Sequence, residues 1–78
     1  LVAPGHEAAL AALKRKRLEL AREEGVPAFV IFADRTLIEM AERRPATLDE
    51  MRAIHGVGQV KLARYGEGFL QALEEASR

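Results

Sequence analysis

The apolar positions in the first third of the chain follow the period of an α-helix. Residues 6 to 24 contain neither Gly nor Pro and consist mainly of Ala, Leu, Lys, Arg and Glu, which are strong helix formers. The stripe at helical spacing is formed by Leu10, Leu13, Arg17, Leu20 and Ala21. Such a stripe packs against a core. Gly25 suits a left-handed helix cap and Pro27 follows it, so this pattern predicts a long first helix that ends near residue 24.

The longest uninterrupted apolar stretch runs from Val26 to Ala33. A single buried strand would have this composition, but no second strand-like segment is present for it to pair with. We therefore predict a packed linker that contains one irregular helical turn.

Two shorter periodic segments follow the linker. Asp34 is predicted to cap a second helix that ends at Arg43 or Arg44, before Pro45. Its inward stripe consists of Leu37, Met40 and Ala41. Thr47 and Glu50 have the spacing of a capping box, which predicts the start of a short third helix. The inward residues of that helix are Leu48, Met51 and Ile54.

The last part of the chain begins with a glycine corner, Gly56 to Gly58. The helical pattern resumes at Gln59, and Gly66 is predicted to end a fourth helix of two turns. A fifth helix has an apolar stripe made of Phe69, Leu70, Leu73 and Ala76. The pattern as a whole predicts an all-α, compact five-helix bundle with a helix-hairpin-helix-like corner.

Composition narrows the possible classes of protein. A chain of 78 residues has room for one domain, here residues 1–78. Cysteine is absent, which excludes disulfides and thiolate metal sites and favours a reducing, cytoplasmic setting. The apolar stretches are too short to span a membrane. We find no pattern typical of a metal site, a cofactor site, a catalytic centre or a small-molecule substrate site.

The net charge weakens the usual composition argument for nucleic-acid binding. Twelve Lys and Arg residues balance twelve Asp and Glu residues, whereas a nucleic-acid-binding domain is typically basic. Binding to DNA would therefore depend on a local cluster of positive charge.

The glycine corner is the first candidate for such binding. Ile54-His55-Gly56-Val57-Gly58 has the form of a helix-hairpin-helix turn, in which backbone amides at the next helix start can hold a phosphate. Gly56 and Gly58 are therefore candidates for phosphate contact, with Lys61 and Arg64 one and two turns into the following helix. A tight turn with Val57 in the core explains the same glycines without a ligand. His55 has no partner nearby in sequence for metal binding or catalysis.

The densest positive charge is the basic run at residues 14–17 on the first helix. Four successive helical positions point in different directions, so the charges of residues 14–17 surround the helix rather than line one face of it. This run is called the basic collar below. Lys14, Arg15 and Lys16 are predicted to point outward, and Arg17 to lie along the edge of the core. A phosphate-binding patch is one interpretation. A helix surface neutralised by Glu19, Glu23 and Glu24 is the other.

Phe29 is the most informative apolar residue of the linker. A short turn after Pro27 cannot bury all of its apolar side chains, and an exposed aromatic ring could stack on an unpaired base. Packing of Phe29 against the end of the first helix is the alternative.

Three segments of the chain together resemble the HRDC domain, the helicase and ribonuclease D C-terminal module. The segments are Leu10 to Ala21, Gly25 to Ala41, and Pro45 to Phe69. Their order and spacing make the resemblance more specific than the glycine corner alone. It supports the five-helix prediction.

The resemblance implies an accessory, non-catalytic domain of a larger protein, better matched to a bacterial RecQ-type DNA helicase than to ribonuclease D. It implies binding to single-stranded or branched DNA in the cytoplasm, at the nucleoid, in DNA repair and recombination. Family members often carry Tyr at the place of Phe29 and basic residues at the places of Lys14 and Arg17. Because the family's surfaces diverge, a second interpretation is a regulatory module that contacts other domains of its parent helicase.

Overall fold

The computed structural model describes residues 5–78. It contains five helices, α1 (Glu7–Glu24), α2 (Ala28–Ile31), α3 (Asp34–Arg43), α4 (Leu48–Arg52) and α5 (Gln59–Ala76), and these residues contain no strand. The predicted all-α class is therefore confirmed. No helix within residues 5–78 combines the length and the apolar character needed to cross a bilayer.

The two long helices form the frame of the domain. α1 packs along α5, while α2 and α3 pack on α1 and α4 packs on α5. The largest fully buried side chains are Leu13, Ile31, Phe32, Leu37, Met40, Met51 and Phe69. The Phe32 ring meets the rings of Tyr65 and Phe69 edge-on, with centroid distances of 6.0 and 5.0 Å. Phe32 therefore joins the α2–α3 junction to α5.

The predicted division of the last third into two helices is wrong. α5 continues without interruption through Gly66, which is buried. A Cβ at this position would lie 2.7 Å from Leu48 Cδ2 and 3.2 Å from Leu62 Cδ1. Glycine is present because α4 approaches α5 closely here, so this residue marks a helix contact and not a helix end.

The linker after α1 is more regular than predicted. Ala28–Ile31 forms the short helix α2, which replaces the expected irregular turn and keeps the number of helices at five. The predicted cap at Asp34 is also wrong, because Ala33 is the N-cap of α3 and Asp34 is its first helical residue. The Asp34 carboxylate is instead engaged by α1.

Other predicted helix ends are confirmed. Gly25 caps α1 in the left-handed conformation with φ 67°. At α4, the Glu50 amide donates to Thr47 Oγ1 at 3.1 Å. Glu50 Oε1 accepts from the Ala46 amide at 2.8 Å, one residue earlier than a standard capping box requires. α4 ends at Arg52, yet Met51 and Ile54 are buried as predicted, whereas Leu48 stays partly exposed.

The glycine corner joins α4 to α5 as a tight turn over α3. Gly56 has φ 91°, in the left-handed region, and Val57 is buried beneath the turn as predicted. A Cβ on Gly56 would collide with Thr36 Oγ1. Thr36 Oγ1 itself donates to the His55 carbonyl at 3.1 Å. The corner is thus fixed to α3 by a hydrogen bond and by a close approach that only glycine allows.

Candidate nucleic-acid interface

The candidate interface is built around the α2–α3 junction. Arg17 on α1 donates from Nη1 to the Phe32 carbonyl at 2.9 Å. Lys61, in the first turn of α5, places Nζ 5.6 Å from the centroid of the Phe32 ring. Cations from two long helices therefore approach the same residue, although they lie far apart in sequence.

Phe29 lies on α2, one helical turn before Phe32. Its side chain is 70% exposed, whereas that of Phe32 is 1% exposed. Val30, the next residue of α2, and Leu18 on α1 are also partly exposed. Phe29 is therefore the linker aromatic with a free ring face, and it does not fill the core at the end of α1.

Arg64 extends this surface along α5, one turn beyond Lys61. Its Nη2 lies 3.3 Å from Glu24 Oε1, and its guanidinium lies 5.0 Å from the Tyr65 ring centroid. The surface defined by Lys14, Arg17, Phe29, Lys61 and Arg64 is called the α2 face below. Five of the residues that the sequence nominated are assigned to it, from their positions on α1, on α2 and in the first half of α5.

Arg17 has less freedom than the other cations of the α2 face. Its side chain is 11% exposed, and Nη2 lies 2.7 Å from Asp34 Oδ1. The hydrogen bond from Arg17, followed by its positive charge, lowers the pKa of Asp34 below the usual value for aspartate. Arg17 thus lies along the edge of the core, as predicted, and holds the α2–α3 junction.

Lys14 and Lys61 are the cations with free charge. Neither makes an ion pair with any carboxylate in residues 5–78. Lys14 is exposed on α1, while Lys61 is half-buried over Phe32. An ammonium group without a carboxylate in contact is available to a phosphate.

Glu24 joins the end of α1 to α5. The Tyr65 hydroxyl lies 2.8 and 2.9 Å from the two Glu24 carboxylate oxygens. Burial of the phenol, and then this hydrogen bond, raise the pKa of Tyr65 above its usual value. The carboxylate therefore serves two partners, since it also pairs with Arg64.

The basic collar is divided between two surfaces. Arg15 and Lys16 line a groove of about 350 Å³ between α1 and α5, together with Gly68 and Gln71. Lys16 is paired with Glu19 at 3.6 Å. Arg15 was nominated with Lys14 and Arg17, but the structure places it in this groove, whereas those two residues lie near Asp34.

The two glycines of the corner have different structural roles. Gly56 is required by its backbone conformation and by Thr36. Gly58 is the N-cap of α5, with φ −79° and open space where a Cβ would stand. The first backbone hydrogen bond of α5 runs from the Leu62 amide to the Gly58 carbonyl at 2.8 Å. Of the two glycines, Gly58 is the one that directly precedes α5, and the space beside it is unfilled.

His55 supplies a backbone carbonyl to Thr36, and its side chain is exposed. Within residues 5–78, no group of three or more His, Asp or Glu side chains could hold a metal ion.

Sequence reasoning missed Asp34, Glu24 and Thr36 as organising residues. Their partners are distant in the chain, with 41 positions between Glu24 and Tyr65 and 19 between Thr36 and His55. Helical periodicity reports neighbours three or four positions apart, so it contains no signal for these pairs. Asp34 follows the apolar linker directly, a position that predicts a helix cap and gives no sign of the pair with Arg17.

Comparison with known proteins identifies the family. The model of the HRDC domain matches residues 6–73. The ATP-dependent DNA helicase RecQ of Bacillus subtilis is 47% identical over 66 residues, covering 85% of this chain and 11% of the relative. The ATP-dependent DNA helicase UvrD2 of Mycobacterium tuberculosis is 46% identical over 65 residues, covering 83% and 9%.

A solved structure agrees with this assignment. D. radiodurans RecQ HRDC domain 3 has a TM-score of 0.88 and 37% sequence identity, covering 91% of this chain and 93% of that one. The chain spans only about a tenth of the length of the helicases that it matches, 11% for the RecQ of Bacillus subtilis. The family model, the relatives and the fold agree that this domain is of the kind found as an accessory domain in ATP-dependent DNA helicases. The chain belongs to the HRDC family.

Proposed function

We propose that this domain binds single-stranded or branched DNA weakly, through the α2 face, and thereby tunes which substrates a RecQ-type helicase engages. In this role the domain is a non-catalytic part of a larger bacterial protein that acts at the nucleoid. ATP hydrolysis and strand separation belong to the other domains of that protein.

The observation that carries the proposal is an exposed aromatic ring beside a junction that cations from two long helices approach. Phe29 exposes 70% of its side chain, and the junction that follows it is contacted by Arg17 from α1 and by Lys61 from α5. Single-strand-binding sites combine a stacking ring for bases with positive charge for the backbone. A duplex offers no free base face, so this arrangement favours unpaired DNA.

Weak binding follows from the charge of the rest of the domain. The formal net charge is zero, and six ion pairs are formed within residues 5–78. Six of the twelve Lys and Arg side chains stay outside these pairs, and of these only Lys14 and Lys61 belong to the α2 face. Each phosphate contact on a single strand contributes about 0.7 to the salt slope. We expect affinity that is low and falls with added salt.

Lys14→Ala is expected to weaken binding to single-stranded DNA about three-fold at 50 mM salt and to reduce the salt slope by about 0.7. The reason is the loss of one phosphate contact from an exposed, unpaired ammonium group. The free energy of unfolding should change by less than about 0.5 kcal/mol, because the side chain is not part of the core. Fluorescence anisotropy at several salt concentrations measures both effects.

Arg52→Ala is the matched control, because it removes the same charge from an exposed side chain on α4. An equal loss of affinity in both variants would mean that the DNA responds to net charge and would contradict a role for the α2 face.

A regulatory contact with another domain of the parent helicase is the second candidate function. It is favoured by a groove of about 440 Å³ between the α3–α4 turn and the C-terminal half of α5. Pro45 and Leu73 form an apolar floor, while Arg44, Glu67 and Glu74 supply charges of both signs. A mixed-charge rim around an apolar floor suits a protein partner better than DNA.

Ala46→Arg tests this second function within the full-length helicase. Ala46 is exposed and lines the groove, so a bulky cation there should disturb docking without unfolding the domain. We expect a changed DNA-stimulated ATPase rate in the parent and unchanged DNA affinity in the isolated domain. An unchanged parent would contradict a regulatory contact at this groove.

A further inference from the structure

Two acidic side chains accompany the cations of the α2 face. Asp34 Oδ1 lies 2.7 Å from Arg17 Nη2, and Glu24 Oε1 lies 3.3 Å from Arg64 Nη2. Both pairs join different helices, and neither follows from local helical spacing. The two guanidinium groups therefore already have anionic partners before any DNA arrives.

The pair at Arg17 is asymmetric in its exposure. The Arg17 side chain is 11% exposed and the Asp34 side chain is 68% exposed. A phosphate that approaches this point meets the carboxylate rather than the guanidinium. Lys14 is close enough for its charge to lower the pKa of Asp34 as well, so the carboxylate also lies within the field of the free ammonium group. Its negative charge offsets both cations.

Asp34 is not needed to place Arg17 or to cap α3. Arg17 is held independently by the hydrogen bond from Nη1 to the Phe32 carbonyl at 2.9 Å. The N-cap of α3 is Ala33, and no side chain caps this helix. Removing the charge of Asp34 should therefore leave the junction in place, which makes the electrostatic role separable from folding.

Glu24 has a structural role that an amide can retain. Tyr65 uses it as a hydrogen-bond acceptor, and the amide oxygen of glutamine accepts in the same way. Glu24→Gln should thus remove the charge that pairs with Arg64 while leaving an acceptor for the buried phenol.

We propose that Asp34 and Glu24 are built-in counter-charges that compete with phosphates for the cations of the α2 face and so keep the affinity of this domain for DNA low. This inference rests on the proposed DNA binding and names the residues that set its strength. At Arg17 and Arg64, a DNA strand gains a phosphate contact only where it displaces or outweighs a carboxylate that the fold has already supplied.

Asp34→Asn is expected to bind single-stranded DNA about three-fold to ten-fold more tightly than the unmodified protein at 50 mM salt. The salt slope should increase by about 0.7, because one further phosphate contact releases counterions. Glu24→Gln should tighten binding about three-fold. Asp34→Glu keeps the negative charge and should bind DNA like the unmodified protein. The measurement is fluorescence anisotropy with a labelled oligonucleotide, after thermal unfolding has shown that each variant is folded.

Asp49→Asn is the matched control. Asp49 also lies in the first turn of a short helix, α4, and pairs with an arginine, at 3.2 Å from Arg52. The substitution changes the net charge by the same amount but on a helix that packs on α5 rather than on α1. We expect DNA affinity within two-fold of that of the unmodified protein.

The outcomes separate this inference from the proposed function. If the unmodified protein binds DNA and Asp34→Asn binds equally well, the counter-charge role is wrong while DNA binding stands. Equal tightening by Asp34→Asn and Asp49→Asn would also overturn it, because net charge alone would explain the gain. If only Asp34→Asn binds, the inference is supported. If neither protein binds at 20 mM salt, DNA binding itself fails.

Discussion

Replacing Gly56 with alanine is expected to destabilise the domain by about 2 to 4 kcal/mol, which corresponds to a fall in Tm of about 10 to 25 °C. Two costs add. The backbone at Gly56 has φ 91°, a conformation that an L-residue adopts only with strain. The new Cβ would also collide with Thr36 Oγ1, and overpacking of this kind typically costs about 1 to 3 kcal/mol.

This loss is large for so small a domain, since a chain of 78 residues has a total stability of about 4 to 12 kcal/mol. Thermal and urea unfolding followed by circular dichroism measure it. Gly58→Ser is the matched control, because Gly58 is an N-cap with φ −79° and open space around it. Serine is a favoured N-cap residue, so this variant should be as stable as the unmodified protein or more stable. Equal destabilisation at both glycines would contradict the distinction between them.

Replacing Phe29 with alanine is expected to weaken binding to single-stranded DNA by about 5-fold to 140-fold. Stacking of one base on an aromatic ring contributes about 1 to 3 kcal/mol, and each 1.4 kcal/mol corresponds to a factor of ten. The change in stability should be small, because 70% of the side chain is already exposed to solvent. The salt slope should stay the same, since no charge is removed.

Two variants control the Phe29 experiment. Val60→Ala shortens another apolar side chain that is 70% exposed but cannot stack, so it should leave DNA affinity unchanged. Phe29→Tyr keeps the ring and should retain at least the affinity of the unmodified protein. If Phe29→Ala and Val60→Ala have the same effect, stacking on Phe29 is not the source of affinity.

Helical periodicity was sufficient to predict most of the fold. The ends of α1 and α3, the start of α4 and the burial of Val57 followed from caps and apolar stripes. The predicted helix end at Gly66 is wrong because glycine weakens a helix by itself. Only the close approach of Leu48 explains why a continuous helix contains this glycine. Tertiary packing decided that position, and a single sequence contains no record of packing.

The sequence predicted individual residues of the candidate site but not their arrangement in space. Charge density and the surplus of apolar residues after Pro27 nominated Lys14, Arg17 and Phe29 from the sequence alone. Which linker aromatic faces outward depended on Phe32 entering the core between Tyr65 and Phe69. The carboxylates at Asp34 and Glu24 were not foreseen as partners of Arg17 and Arg64, because these pairs exist only once α1, α3 and α5 are packed together.

The most direct test of a DNA-binding α2 face is a titration of the unmodified domain and of Phe29→Ala with one labelled single strand at a series of salt concentrations. The unmodified domain should bind at 20 mM salt, with log affinity falling against log salt at a slope of about −1.4 to −2.1 for two or three phosphate contacts. Phe29→Ala should show the same slope at lower affinity. No binding by the unmodified domain, or identical affinity for both proteins, would contradict the proposed function.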